Sequence, residues 1–439
     1  MFGYSHTGLS AKAEPSTAAP LRYSQQVAIE NTQKEKYTYI ARPTCGVSGN
    51  SWEFVFPAQG DDSYLNMRDM RVHVEAKVTN ANGSAVTSGN VAPVCNFAQS
   101  LFHIVESRLN DRPLPGGTFN DAHYKGYLSA ITRGSIGSKN MYQLQGFYPD
   151  TEGNFEDVGN TDNKGFVSRK ALAAGSRTFA FSAPIMCDIL NSNNYLGPGN
   201  KLSIRLVRGS DEQVLMAQDT ATYKLQIVDI FVECTRVIAD VLPPPQEIHY
   251  FPQTEILKFP MAADTTNINL KVQAAEKMPR HIILFFVKTH GANGTYKSNM
   301  FEFQNLHLTS LNLRSNGRSY PSEPLKPDFE NGKVTREMMH MFQNLGYDWG
   351  GKTGVIDRAK FLNGYTIFPF DLSADKCDGT HIHDLPEGVI EIEATCKSMD
   401  VATTAFVLMT WDIEFTIQRQ AGAPYTYTLA YLSAPKRAP

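Results

Sequence analysis

Charge is scarce in this sequence. Of 439 residues only 19% are Asp, Glu, Lys or Arg, and the formal net charge is −3. An ordinary soluble domain carries roughly a quarter. A chain without a basic surplus does not hold nucleic acid by neutralising phosphates, which takes clustered Lys and Arg, so sequence-specific nucleic-acid binding is not expected. Long apolar runs are also missing. The longest, Ile282 to Val287, falls far short of the ~20 residues that cross a bilayer, and the start Met-Phe-Gly-Tyr-Ser-His has no apolar signal core. These two absences predict a soluble chain made in the cytosol, with no membrane insertion. Six cysteines (45, 95, 187, 234, 377 and 396) are scattered without a Cys-x-x-Cys pair, which excludes a dense disulfide framework and fits a reduced compartment. Asn82-Gly-Ser and Asn293-Gly-Thr match the glycosylation sequon, but without a secretory route they read as turns.

Aromatic residues are plentiful at 11%, and they fall at alternating positions. Trp52, Phe54 and Phe56 alternate with Ser51, Glu53 and Val55. Val72, Val74, Ala76 and Val78 do the same, as do Trp411, Ile413, Phe415 and Ile417. Period-two patterning of this kind predicts strands with one buried face. Asn-Gly pairs at Asn82, Asn293, Asn316, Asn331 and Asn363 mark turns, because both residues tolerate positive φ.

The pattern occurs twice. Leu101 to Leu109 lead into Asn110, Arg112 and Pro113, a Pro/Gly-rich loop, and a helix carrying Tyr124, Tyr127, Leu128 and Ile131 on one face. Leu306 to Leu313 lead into Asn316, Arg318 and Pro321, and a helix carrying Met338, Met341, Phe342 and Leu345. Both helices have the spacing of an apolar stripe laid on a sheet. Downstream, Phe179, Phe181 and Pro184 correspond to Ile367, Phe368 and Pro369. The strand from Leu202 corresponds to that from Ile390, and each half ends in a long strand with Asp-Ile, at Asp229 and Asp412. Repetition of a whole order of elements points to a duplicated domain.

The fold predicted is all-β: two tandem eight-stranded jelly rolls with short helices inserted in their loops, since paired sheets of that size dispose of most strand edges. The divisions expected are an N-terminal arm at 1–37, a first jelly roll at 38–242, a Pro-rich linker at 243–248, a second jelly roll at 249–420, and a C-terminal arm at 421–439. Leu242-Pro-Pro-Pro-Gln marks the boundary because proline cannot donate to a ladder. Gly134 to Gly175, rich in Gly, Asn and Asp and weakly periodic, reads as a surface excursion of the first half.

Leu-Asn-Asp-Arg-Pro-Leu-Pro-Gly at 109–116, Tyr-Phe-Pro-Gln at 250–253, the Asn316 to Pro321 turn with its helix, and Tyr-Thr-Ile-Phe-Pro-Phe-Asp at 365–371 occur in an order that resembles a known family. It is the double jelly-roll major capsid proteins of the Polinton (Maverick) and adintovirus lineage, more distantly similar to those of virophages, adenoviruses and tectiviruses. The likeness covers about residues 50 to 420. It implies a homotrimer of pseudo-hexagonal outline that tiles an icosahedral shell, alongside a single jelly-roll penton or minor capsid protein. It also implies a virion location after synthesis in the host cytoplasm, with assembly there or in the nucleus. Under it, Gly134 to Gly175 is a candidate tower loop, and residues 1–36 face the shell interior.

The resemblance implies no catalytic, cofactor-binding or metal-binding residue. The strongest competing chemistry is His381-x-His383 with Glu387, which matches the core of a cupin metal site and would make the chain a bicupin metalloenzyme. Asp375 and Ala394 stand where that motif has glycines, and no His follows His383 to supply the second motif. His290-Gly lacks a Ser or Cys nucleophile beside it, and neither a Gly-x-Ser-x-Gly elbow nor a phosphate loop occurs. Leu114-Pro-Gly-Gly loosely fits a maturation-protease cleavage pattern but lies in a turn. Met338, Met339 and Met341 fit packing on a sheet better than a soft binding surface. Arg112 and Arg318 read as ties for turns rather than anion sites. Tyr347-Asp-Trp349 suits a non-viral carbohydrate-binding sandwich or a subunit contact equally.

Overall fold

The computed structural model describes residues 33–60, 62–133, 138–159, 161–192, 194–217, 222–240, 244–273, 277–347, 354–373, 388–397, 399–418 and 426–431. The first half contains β1 (Gln33–Ala41), β2 (Ser51–Phe56), β3 (Ser63–Asn80), β4 (Val91–Pro93), β5 (Phe102–Leu109), β6 (Arg112–Asn120), β7 (Phe179–Pro184), β8 (Leu202–Arg208), β9 (Leu215–Ala217) and β10 (Tyr223–Ala239). Two four-stranded antiparallel sheets result, in the orders β1-β10-β3-β7 and β2-β8-β5-β6, with β4 and β9 forming a small extra pair. Setting that pair aside, one sheet takes the first, eighth, third and sixth of eight strands and the other takes the second, seventh, fourth and fifth. This is the jelly-roll connectivity.

The second half repeats it. Its strands are β11 (Gln246–Met261), β12 (Asn267–Gln273), β13 (His281–Lys288), β14 (Leu308–Ser315), β15 (Arg318–Leu325), β16 (Phe368–Asp371), β17 (Val389–Cys396) and β18 (Thr403–Gln418), followed by β19 (Thr426–Tyr431). The sheets run β11-β18-β13-β16 and β12-β17-β14-β15. Thr403 to Thr410 of β18 pair with β13, and Ile413 to Gln418 pair with β19 along the same edge. In the first jelly roll the start of the long strand β3 fills that place, pairing Ser63–Asn66 with Thr235–Ile238. One domain therefore meets its long last strand with a single partner, and the other with two partners in line.

The duplicated hairpins share their backbone as well as their sequence. Asn110 and Asp111 in the first, and Asn316 and Gly317 in the second, all have positive φ. That is the two-residue turn whose twist matches a β-ribbon. Arg112 and Arg318 open the return strands, opposite Leu109 and Ser315. The expected Pro/Gly loop is instead part of strand β6, an edge strand where missing N–H donors are tolerated. Pairing jumps from Arg108–Pro113 to Glu106–Thr118, so residues 114–117 bulge out of the ladder. The second hairpin jumps likewise, from Leu313–Tyr320 to Leu311–Leu325.

Strand alternation fills both sandwiches. Trp52, Phe54 and Phe56 are all fully buried, as are Ile390, Ile392, Ile413 and Phe415. In β10 the alternation Tyr223, Leu225, Ile227 resumes out of phase at Ile230 and Val232, because a bulge at Ile227/Asp229 inserts one residue. Val228 is thereby turned outward and exposed.

Candidate functional site: the seam between the jelly rolls

The apolar run Ile282–Val287 is buried on both faces. Successive strand residues point to opposite sides, so a strand buried throughout needs cover outside its own sandwich. The Ala122–Arg133 helix of the first jelly roll supplies it. Tyr124 lies 5.3 Å from Phe285 and 4.6 Å from Phe406, ring centre to ring centre, while Tyr127 stacks on Phe301 at 4.1 Å with only 16° between planes. The two sandwiches thus share one continuous apolar core. The second helix, Thr335–Asn344, stays with its own domain: His340 meets Phe370 edge-on at 5.2 Å, and the Asn344 Oδ1 accepts from the Asp371 N–H at 3.0 Å.

Of the segment Gly134 to Gly175, the Lys139–Leu144 helix lies at the surface as expected, but the part from Phe147 onward is not a surface excursion. Among its described residues, Phe147, Phe155, Phe166, Asp150, Asn163 and Arg169 are buried, and Asp150 anchors a polar knot between the domains. Its Oδ1 accepts from Arg169 Nη2 at 2.7 Å and Asn163 Nδ2 at 2.8 Å, and its Oδ2 from Asn299 Nδ2 of the second jelly roll at 3.0 Å. The Tyr365 hydroxyl, also from the second jelly roll, donates to the Asp150 carbonyl. Arg169 donates further to the carbonyls of Pro93, at 2.8 Å, and Tyr148. Burial opposes the guanidinium's charge, but Asp150 together with Cys95 and Tyr127 outweighs it, and the Arg169 pKa is raised. Asn163 also caps the Lys164–Ala173 helix by accepting from the Phe166 N–H. The low hydrophobic periodicity of this segment hid its role. Its sequence signal is Asn163 as a cap, with Phe166, Arg169 and Ala173 on one helical face.

The outer edge of β11, an edge strand of its sheet, is covered by the first jelly roll. Asn194 Nδ2 donates to the Ile248 carbonyl at 2.7 Å and Asp188 Oδ2 accepts from the Thr254 N–H at 2.9 Å. Residues an even number apart present backbone groups to the same edge, so side chains here occupy part of the ladder a further strand would use. Covering an edge in this way prevents unintended pairing. Lys125 bonds the same Asp188 carboxylate, and Lys258 of β11 pairs with Asp121 at 2.7 Å.

One constellation here has the outline of a nucleophilic triad. Ser192 Oγ lies 3.0 Å from His249 Nδ1, and His249 Nε2 lies 3.7 Å from Glu247 Oε2. All three residues are at most 2% exposed. The Ser192 hydroxyl already accepts from the Asn194 N–H and the Glu247 carboxylate from the Gly197 N–H. No substrate reaches the hydroxyl, and the group ties the start of β11 to the first domain. Burial also pushes the Cys95 and Cys234 thiols up to about 12 and Cys187 to about 11, so these cysteines are not nucleophiles at neutral pH.

His381, His383 and Glu387 lie outside the described residues, as do Asp348 and Trp349. Among the described residues no group of three His, Cys, Asp or Glu could hold a metal ion, and no helix is long and apolar enough to cross a membrane. His290 is exposed on a short helix, Thr289–Asn293. Tyr347 donates its hydroxyl to the Thr132 carbonyl across the seam, so it braces the domains rather than facing solvent. Met338 and Met341 are buried, consistent with packing on the sheet.

The fold and seam define a class: a double jelly-roll protein, two eight-stranded sandwiches fused through a common core. Solved structures of viral proteins are similar to it. A chain of the Sputnik virophage matches with a TM-score of 0.60 at 13% identity, covering 94% of this chain and 92% of that one. The mavirus major capsid protein matches at 0.50 and 11% identity, covering 100% and 99%, and the PBCV-1 virus capsid at 0.53 and 10%, covering 94% and 100%. The chain therefore shares its fold with viral major capsid proteins. It is also 22% identical over 371 residues to the uncharacterized protein F54H12.2 of Caenorhabditis elegans, spanning 79% of this chain and 85% of that protein. No family model matches.

Proposed function

We propose that the chain is a major capsid protein whose homotrimers are pseudo-hexagonal blocks of an icosahedral shell. The observation that carries this reading is the shared core. Two jelly rolls of identical strand order are fixed to each other by the Tyr124–Tyr127 seam and the Asp150 knot, so each chain presents two quasi-equivalent units in one rigid piece. Threefold closure of such chains gives six-sided tiles from three copies. The full-length similarity to capsid chains supports it. The seam performs no chemistry under this reading, so the chain acts as a structural protein without enzyme activity or cofactor, as a member of the Polinton and adintovirus lineage, in the virion. Its partners are further copies of itself and a single jelly-roll vertex protein. Residues 1–37 and 421–439 serve as arms around domains at 38–242 and 249–420, with Gln33–Tyr37 and Thr426–Tyr431 of the arms adding strand to the sheets of those domains and the Pro-rich linker at 243–248 running into β11 from Gln246.

Native mass spectrometry of the purified chain tests the proposal. Three chains per particle are expected, with each interface burying more than ~2,000 Å², in the obligate range. A monodisperse monomer at micromolar concentration would overturn it, and stoichiometric Fe or Mn lost on His381→Ala and His383→Ala would favour the bicupin instead.

A further inference from the structure

His103 in β5 and His123 in the first turn of the Ala122–Arg133 helix stack face to face, with ring centroids 3.8 Å apart and 20° between planes. His123 is buried, and it also lies against Tyr124 at 4.2 Å and against Phe301 of the second jelly roll at 6.3 Å. Nε2 of His103 and both ring nitrogens of His123 are sealed from solvent with no hydrogen-bond partner among the described residues. An imidazole ordinarily donates at one nitrogen and accepts at the other. Burying those groups unpaired costs their full desolvation, so a purely structural position would be better filled by an apolar ring. His123 lies in the helix that carries the Tyr124 and Tyr127 ring contacts to the second jelly roll.

The surrounding charges all oppose a proton on these rings or are already engaged. Lys258 of β11 is the cation that acts on both, and it pairs with Asp121 just before the helix. The backbone of Gly209 lies against His103 Nε2, leaving no room for even a methyl group there. The adjacent Arg208 guanidinium is bound to Asp211 and to the carbonyls of Gly209 and Leu225. From the second jelly roll the further neighbour is Phe301, which offers no charge.

We propose that the His103–His123 stack is an acid-sensitive latch: the neutral rings close the seam, and proton uptake expels a ring and loosens the Ala122–Arg133 helix from the second jelly roll. Burial, reinforced by Lys258, lowers the His103 pKa to about 4, and burial with His103 and Lys258 holds His123 well below the usual imidazole range. The sign follows from linkage. Between the folded value and the unfolded value of ~6.5 the unfolded or opened form binds more protons, so the stabilisation is complete above pH ~6.5 and is lost as pH falls toward ~4. Because the rings are in contact, their protonations are coupled, and the first proton suffices to break the stack.

Hydrogen exchange of the purified full chain at pH about 7.5 and about 5, corrected for intrinsic rates, tests the latch. Wild type should open in peptides covering 122–133 and 299–307 by at least ~5-fold more at the lower pH, and the double variant His103→Phe with His123→Phe, which keeps two flat rings that cannot titrate, by less than ~2-fold. Lys258→Met removes the opposing cation and releases Asp121, which raises the folded imidazole pKa toward the unfolded value, so its acid-induced opening should be smaller than that of wild type by at least ~1.5-fold. It provides the readout if the double variant does not fold. An equal acid response in wild type and the double variant, no seam opening in wild type, or an undiminished acid response in Lys258→Met would each overturn the proposal.

Discussion

Replacing Arg169 by Met isolates the contribution of the buried ion pair. Arg169 is 1% exposed and its partner Asp150 is fully buried in side chain. The substitution conserves an unbranched apolar stem but strands the Asp150 carboxylate with only the Asn163 and Asn299 amides as donors. It also orphans the Pro93 and Tyr148 carbonyls. Breaking a buried pair from one side costs about 3–5 kcal/mol, mostly as uncompensated charge. At about 2.1 cal/mol/K per residue, 439 residues have an unfolding entropy of about 0.9 kcal/mol/K, and the loss lowers the melting midpoint by about 3–6 °C. Differential scanning calorimetry at fixed scan rate reads the shift. The double variant Arg169→Met with Asp150→Asn removes both charges, and the new amide can donate toward the vacated carbonyls while its oxygen still accepts from an Asn. It should recover about half of the loss, roughly 2 kcal/mol relative to Arg169→Met alone. A single-variant shift below about 1 °C, or a double variant that melts as low as the two single shifts added together, would refute the claim that this pair locks the domains.

Tyr127→Ala removes the ring stacked on Phe301 and should cost about 3–5 kcal/mol by thermal or urea denaturation, in the range of large-to-small core changes. Gly364→Ala and Gly317→Ala separate strain from space. Both have positive φ, but an added methyl meets the Phe155 ring at 2.3 Å only at Gly364, while Gly317 has open space. The expected losses are about 1 kcal/mol at Gly317 and at least ~3 kcal/mol at Gly364, with comparable losses arguing against the contact. Met141 and Leu144, 60% and 64% exposed on the Lys139–Leu144 helix, should tolerate change to Asp within ~0.5 kcal/mol of stability while weakening the proposed trimer by mass spectrometry. An unchanged trimer would remove this helix from the subunit interface.

Much of the fold was legible because its signals are local. Trp52, Phe54 and Phe56, or Ile413, Phe415 and Ile417, declare a strand and its buried face over a few residues. Asn110-Asp111 and Asn316-Gly317 declare a turn because few other pairs accept positive φ twice. Repetition of these signals in one order was enough to predict two jelly rolls. Misreadings arose where a segment's burial comes from elsewhere in the chain. Residues 114–117 carry proline and glycine as a loop would, yet they are a bulge within an edge strand whose Gly116 abuts Gln253 of the other domain.

What the sequence by itself determined is the pair of sandwiches, their hairpins and the two helices that follow those hairpins, since alternation, turn chemistry and helical stripes act between residues close in the chain. Only the tertiary structure decided what covers what. Nothing within Ile282–Val287 says that its outer face belongs under Tyr124, and nothing in the polar segment around Asp150 says that it will meet Asn299 and Tyr365 across the seam. An apolar or ionic side chain encodes the need for a partner but not the partner's place, which is fixed when the two domains pack. The stacked histidines belong to the same category, being unremarkable in sequence at 103 and 123 and brought within 3.8 Å by the fold.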